Sequence, residues 1–146
     1  LFGWAVGAPA TGWLSDRLGR RKPILIAGSV IVCLMLFLLI FIPYLPLPAA
    51  VTIIIIIGFS GGSMATCFAL VRDVLPDKIT GAATGIVNAL TVASGAVLQP
   101  VVGLLLDLQA SDNTAAYTEA VFRQAFCAIL VTAFAGLLVA FRLREK

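Results

Sequence analysis

Long runs of apolar residues constrain this chain more than any other feature of its sequence. A helix that crosses the hydrocarbon core of a bilayer needs about 20 apolar residues, at a rise of about 1.5 Å per residue. Four segments meet this requirement, over residues 24–43, 48–71, 80–106 and 121–141, and a shorter apolar segment covers residues 1–14. We therefore predict an all-α membrane protein: a transmembrane helix bundle with four full spans and a partial one, in one domain over residues 1–146.

The composition excludes several classes of function. The chain is 61% hydrophobic and 12% charged, whereas soluble domains are about 45–50% apolar and about 25% charged. It has no histidine, which removes histidine-based triads and histidine-ligated metals. Cys33, Cys67 and Cys127 lie in separate apolar segments without metal-ligand spacing, so we interpret them as packing residues. We expect no enzyme activity, no metal and no cofactor.

The basic residues predict the orientation of the bundle. Nine of the ten Lys and Arg residues fall in alternate connections, at residues 16–22, 72–78 and 142–146, and Arg123 is the exception. Because cytoplasmic loops collect Lys and Arg, we predict an integral membrane protein with these connections and the C-terminus in the cytoplasm. The net charge of +3 is then a result of topology, and we expect no nucleic-acid partner.

The first connection carries more than positive charge. Gly12 would allow a neighbouring helix to approach closely, and Gly19 can adopt a positive φ. An acid lies between these two glycines at the membrane surface, and the arginines around it can bridge to acids at neighbouring helix ends. We predict a gating loop made of Gly12, Asp16, Arg17, Gly19, Arg20 and Arg21. Arg72 and Asp73 would extend it into a cytoplasmic charge network, with Arg17 and Arg20 beside Asp73.

Residues 12–22 read G-W-L-S-D-R-L-G-R-R-K. This segment resembles the signature loop of the major facilitator superfamily, G-x-L-x-D-[RK]-x-G-[RK]-[RK]-[RK], at every fixed position. The resemblance implies a fold of twelve helices in two six-helix halves. It also implies secondary active transport of a small-molecule substrate by alternating access, in a bacterial cytoplasmic (inner) membrane.

A second resemblance concerns the position of the chain within such a transporter. Residues 72–107 resemble the region of helices ten and eleven, through Gly81, Thr84, Gly85, Asn88, Gly95, Gln99, Pro100, Gly103 and Asp107. This implies the C-terminal part, helices eight to twelve, with the N-terminal half as a missing partner. Because Leu1 opens within an apolar segment, we expect a longer protein. Two alternatives remain: helices two to six of the first half, or a small helical scaffold that does not transport.

The span over residues 80–106 has three distinct faces at 100° per residue. One is polar and forms the expected substrate cavity, with Thr84, Asn88, Thr91 and Gln99. A second is made of small residues suited to close helix packing, with Gly81, Gly85, Gly95, Pro100 and Gly103. The third is expected to face lipid and carries Val87, Leu90, Val97, Val101, Leu104 and Leu105.

Two questions about this span stay open at the level of sequence. Asn88 and Gln99 could form interhelical hydrogen bonds instead of contacting substrate, since such bonds are common in membrane bundles. No Asp, Glu, Lys or Arg lies deep within a full span, and proton-coupled carriers usually need an ionisable residue near the cavity. A coupling proton or ion would therefore bind in the missing half, or transport would be uniport or exchange.

Overall fold

The computed structural model describes residues 1–109 and 119–143. Six α-helices account for most of them: α1 (Phe2–Leu18), α2 (Lys22–Phe41), α3 (Leu47–Gly61), α4 (Ala65–Val74), α5 (Asp77–Gln109) and α6 (Glu119–Arg142). A 3₁₀ turn, Gly62–Met64, joins α3 to α4, and no strand occurs among the described residues. The predicted all-α fold is confirmed. Four stretches are long and apolar enough to cross a membrane: Lys22–Phe41, Leu47–Val74, Asp77–Leu108 and Val121–Arg142.

Prolines set several of the helix ends. Pro23 lies in the first turn of α2, where the missing N–H would have had no helical partner. At the other end, Ile42 is extended because it precedes Pro43, and a residue before proline avoids the α conformation. The helix is therefore shifted toward the N-terminus relative to the predicted span over residues 24–43. In the same way, Leu75 is extended before Pro76, and α5 begins immediately afterwards.

The tightest packing in the bundle is between α1 and α3. A Cβ added at Gly7 would lie 2.7 Å from the Cα of Phe59, and one added at Gly3 would lie 2.9 Å from the Phe59 nitrogen. Gly58 and Gly62 approach α1 from the other side. Both α1 and the α3–α4 segment thus present two glycines four residues apart, a spacing that lets backbones touch. The sequence interpretation missed this crossing, although the spacing was visible in it.

Other glycines do not make the close contacts expected of them. A Cβ at Gly12 would have no neighbouring atom within 4 Å. Gly12 lies five residues after Gly7, which places it about 140° around α1 from the contact face, so the close approach expected at Gly12 is not made by the described helices and stays a prediction. The same open space surrounds four glycines of α5: Gly81, Gly85, Gly95 and Gly103. Their packing function, and that of the exposed Pro100, stays a prediction.

Helix α2 packs against both α3 and α6, while α5 contacts α4 and α6. The antiparallel pair α2–α6 is tied at both ends. The Nζ of Lys22 donates to the carbonyl of Phe141 at 2.9 Å, and the Nη2 of Arg123 donates to the carbonyl of Ile42 at 2.7 Å. Cations stabilise carbonyls that a helix C-terminus leaves without a partner.

Candidate functional site

Arg21 connects three helix ends on the basic side of the bundle. Its Nε donates to Oδ2 of Asp73 at 2.9 Å, and its Nη1 donates to Oδ1 of Asp16. The same Nη1 also donates to the hydroxyl of Ser15 at 3.2 Å. One guanidinium at the start of α2 therefore holds the last turn of α1 against the last turn of α4. We call this group, Arg21 with Asp16 and Asp73, the Arg21 clamp.

The turn between α1 and α2 places Arg21 in this position. Gly19 ends α1 with a φ of 61°, and its N–H donates to the carbonyl of Asp16 at 3.2 Å. This left-handed conformation is the one predicted for Gly19, and it is costly for residues with a Cβ. The buried hydroxyl of Ser15 donates to the carbonyl of Arg20 at 3.4 Å. The turn is thus fixed by local hydrogen bonds in addition to those of the clamp.

The carboxylates of the clamp stabilise the charged form of Arg21. Its hydrogen bond to Asp73, followed by that to Asp16, raises the pKa of the guanidinium above its ordinary value. The Arg21 side chain is 19% exposed, whereas those of Asp16 and Asp73 are 67% and 52% exposed. Ion pairs with exposed carboxylates contribute about 0.2–1 kcal/mol each. Such a clamp can hold the helix ends in register and still open at small cost.

The structure changes the predicted membership of the charge network. The ion pair of Asp73 is with Arg21, whereas the sequence predicted Arg17 and Arg20 beside it. Arg17 instead lies over the ring of Trp13, 5.3 Å from the ring centroid. Arg72 is exposed and forms no ion pair within the described ranges. Successive helical residues are about 100° apart, so when Asp73 faces Arg21 its neighbour Arg72 points elsewhere. Half of the predicted gating loop is helical, because Gly12, Asp16 and Arg17 all lie within α1.

The polar face of α5 divides into two kinds of residue. The half-buried Thr84 and Thr91 donate their hydroxyls to carbonyls of their own helix, each at 2.8 Å. Asn88 and Gln99 are exposed, and their amides bond to no other residue in the described part of the chain. The interhelical hydrogen bonds considered for them are therefore not formed here.

The expected lipid face of α5 is correct only in part. Leu90, Val97, Val101 and Leu104 are exposed, as that assignment requires. Two members, Val87 and Leu105, are half-buried instead. They lie on the side of α5 that turns toward the rest of the bundle, at nearly the same angle around the helix as the half-buried Leu98.

The family model for the Major Facilitator Superfamily matches residues 1–146. The chain belongs to the major facilitator superfamily. Neither the comparison with curated proteins nor that with solved structures returned a match. Because this family consists of membrane transporters rather than enzymes, the match agrees with the apolar helices in assigning a transporter-type function.

This major facilitator superfamily bundle also contains a cavity that the sequence interpretation missed. Its volume is about 470 Å³, and it lies between α2, the α3–α4 segment, α5 and α6. Most of its lining is aliphatic, and Val87 is the one described residue of α5 that reaches it. The predicted cavity residues Thr84, Asn88, Thr91 and Gln99 are not part of it. The available signal was the pair Ser60 and Ser63 within an otherwise apolar, glycine-rich span.

Proposed function

We propose that this chain supplies helices eight to twelve of a secondary active transporter, which moves a small solute across a membrane by alternating access. In this assignment α1 is helix eight, α2 is helix nine and the α3–α4 segment is helix ten, with α5 and α6 as helices eleven and twelve. The Arg21 clamp carries the proposal, because it organises the segment that matches the family signature. The residues of α5 that resemble helix eleven, among them Asn88, Gln99 and Pro100, support the assignment to the second half.

The clamp orients Asp16 for a contact outside this bundle. Arg21 holds one oxygen of the Asp16 carboxylate, while the side chain remains largely exposed on the basic side. Asp73 fixes the other edge of the guanidinium, so the position of Asp16 depends on α4 as well as on α1. We infer that Asp16 meets the N-terminal half when the basic side is closed, and leaves it when that side opens. A carboxylate held in this way loses less conformational freedom when it forms that contact.

The substrate path follows the polar face of α5. Asn88 and Gln99 present amide donors and acceptors toward a surface that the described helices leave open. An exposed amide is unfavourable against lipid, so this surface would face water, substrate or the other half. The glycines of the small face, Gly81 to Gly103, would pack against that half. A coupling proton or ion, if one is used, would bind there too.

We also propose a bacterial inner membrane as the location, with the C-terminus in the cytoplasm. The orientation is supported by the asymmetric distribution of Lys and Arg, nine of which fall in alternate connections. A C-terminal epitope tag should be detected by antibody only after the cells are permeabilised. Detection on intact spheroplasts would contradict this orientation.

The gating function of the clamp is tested by replacing the carboxylate of Asp73 with an uncharged amide of the same shape. In the intact transporter, the native cysteines are replaced by serine and Asn88→Cys reports on access to the α5 polar face. Asp73→Asn removes one ion pair of Arg21, and the loss of an interaction of about 0.2–1 kcal/mol predicts a shift of roughly 1.4- to fivefold in the conformational equilibrium. Labelling of the cysteine introduced by Asn88→Cys with an impermeant maleimide should rise from the basic side and fall from the opposite side.

Asp77→Asn is the matched control, because Asp77 is an exposed acid on the same side and forms no ion pair with a described residue. Arg21→Gln should exceed Asp73→Asn in its effect, since it removes both ion pairs. If Arg21→Gln leaves the ratio of labelling from the two sides unchanged, the proposed gating function of the clamp is wrong.

A further inference from the structure

The hydroxyl of Ser15 is directed toward the turn after α1 rather than back along its own helix. The hydroxyls of Thr11, Ser29 and Thr84 each donate to the carbonyl four residues earlier, at 2.7–2.8 Å. This is the usual local bond of a helical serine or threonine. Ser15 donates forward instead, to the carbonyl of Arg20 at 3.4 Å. Its bond therefore connects α1 to the turn that follows.

The same hydroxyl oxygen also holds the side chain of Arg21, because it accepts a hydrogen bond from Nη1 at 3.2 Å. A serine hydroxyl has one donor and two lone pairs, so it can donate to Arg20 while it accepts from Arg21. The carbonyl of Arg20 belongs to the peptide group that carries the Arg21 nitrogen. The bonds thus form a closed chain that holds the guanidinium near its own main chain. Hydrogen bonds linked in this way strengthen one another.

Burial makes the contact between Ser15 and Arg21 hard to replace. Ser15 is 0% exposed, so water does not reach its hydroxyl. If Arg21 left, the hydroxyl would lose a donor in a site of low dielectric, where polar groups without a partner are costly. All of these atoms belong to residues 15–21, the end of α1 and the turn. The arrangement therefore needs no other helix, and a further helix could only add to its burial.

The two ion pairs of the clamp do not by themselves hold Arg21 on α1. The side chain of Asp16 is 67% exposed and that of Asp73 is 52% exposed, and the more exposed an ion pair is, the weaker it is. On this basis alone Arg21 would stay with Asp73. Ser15 adds a second attachment to α1, six residues from Arg21, whereas Asp73 lies 52 residues away. Closing a short segment of chain also costs less entropy than closing a long one.

We propose that Ser15 is a positioning residue of the Arg21 clamp, at a place that the family signature leaves unspecified; this rests on the proposed gating function of the clamp. The hydroxyl of Ser15 keeps the guanidinium of Arg21 on the end of α1. When the basic side opens, Arg21 separates from Asp73, while Arg21 and Asp16 stay together. Asp16 thus keeps its orientation and can meet the N-terminal half again when that side closes.

Hydrogen–deuterium exchange of the intact transporter in lipid nanodiscs shows which contact of the clamp opens. Asp73→Asn should raise exchange at the end of α4, where the N–H of Leu75 donates to the carbonyl of Val71, and should leave the turn between α1 and α2 unchanged. Ser15→Ala should raise exchange in that turn roughly two- to tenfold, as expected for the loss of one hydrogen bond. Thr11→Val is the matched control, because the hydroxyl of Thr11 donates within α1. If Asp73→Asn raises exchange in the turn as much as Ser15→Ala does, the proposal is wrong.

A double-mutant series separates positioning of Arg21 from a purely structural effect on the turn. In the cysteine-free transporter that carries Asn88→Cys, Ser15→Ala should raise labelling from the basic side, by at most the shift that Asp73→Asn causes. In the Asp73→Asn background it should add nothing, because the partner of Arg21 on α4 is already lost. An equal effect in both backgrounds would mean that Ser15 only stabilises the turn, and would overturn the proposal.

Two further outcomes distinguish this proposal from the proposed function. Labelling that responds to Arg21→Gln but not to Ser15→Ala would refute the assignment of Ser15 and leave the gating function standing. Labelling that does not respond to Arg21→Gln would refute both. Exchange within α3 should be equal in all variants, which reports that they are folded.

Discussion

Replacing Gly7 with alanine probes the backbone contact between α1 and α3. The added Cβ would lie 2.7 Å from the Cα and the carbonyl carbon of Phe59. Ordinary contact begins near 3.4 Å, so the helices would have to separate by at least about 0.7 Å at this point. Neither partner can rotate away, because both atoms belong to the backbone. Overpacking of this kind costs about 1–3 kcal/mol, and we expect a loss of about 2 kcal/mol in stability.

The same contact predicts a graded series. Gly62→Ala and Gly3→Ala should also destabilise, because their Cβ atoms would meet backbone atoms at or below 3.0 Å. Gly58→Ala should have the smallest effect, since its nearest neighbours would lie at 3.4 Å. Gly136→Ala is the control of opposite sign, because its Cβ meets open space and alanine favours a helix by about 0.5–1 kcal/mol.

The assay is the temperature at which the detergent-solubilised protein loses its monodisperse peak in size-exclusion chromatography. Gly7→Ala should lower that temperature by several degrees, and Gly136→Ala should leave it unchanged or raise it. If Gly7→Ala is as stable as Gly136→Ala, the glycine crossing does not exist as described. A series in which Gly58→Ala is worse than Gly7→Ala would equally refute the geometry.

Three further substitutions address the turn, the α2–α6 pair and the polar face of α5. Gly19→Ala places a Cβ at a φ of 61° and should cost about 1–2 kcal/mol in the same thermal assay. Lys22→Met keeps the side-chain length but loses the hydrogen bond to Phe141, and should lower stability by about 0.5–1 kcal/mol; equal stability would mean that this bond contributes nothing. Asn88→Ala should weaken substrate binding in proteoliposomes more than Thr91→Ala, because the Thr91 hydroxyl is already bonded to its own helix. The reverse order would contradict the assignment of the Asn88 amide to the path.

Hydropathy predicts the spans because the thickness of the bilayer sets the number of consecutive apolar residues that a spanning helix needs. That number can be counted in the sequence. It does not predict how a span is built internally. Residues 48–71 read as one helix, but the structure contains a 3₁₀ turn at Gly62–Met64. Gly62 packs against the backbone of Ala8, so the local conformation there depends on α1. Only the assembled bundle contains that information.

The charge cluster shows a similar limit. The sequence places basic residues near Asp16 and Asp73, but it does not say which guanidinium reaches both acids. That choice depends on the direction in which α2 leaves the turn, and hence on the left-handed conformation of Gly19. Both arginines lie in the turn between α1 and α2, and of the two it is Arg21 that forms the ion pairs with Asp16 and Asp73. Arg20 and Arg21 therefore have the same side chain but occupy different positions in the structure.

The contacts among the described helices account for only a small part of the surface of α5. It has 33 residues, and none between 77 and 108 is buried. It contacts α4 and α6 along one side, while its small face and the amides of Asn88 and Gln99 remain open. Lipid is a poor neighbour for exposed amides, and glycines in a membrane helix are suited to close contact with another helix. The exposed surface of α5 thus has the composition that the proposed contact with another helical surface requires, and this observation is independent of the signature segment at Arg21.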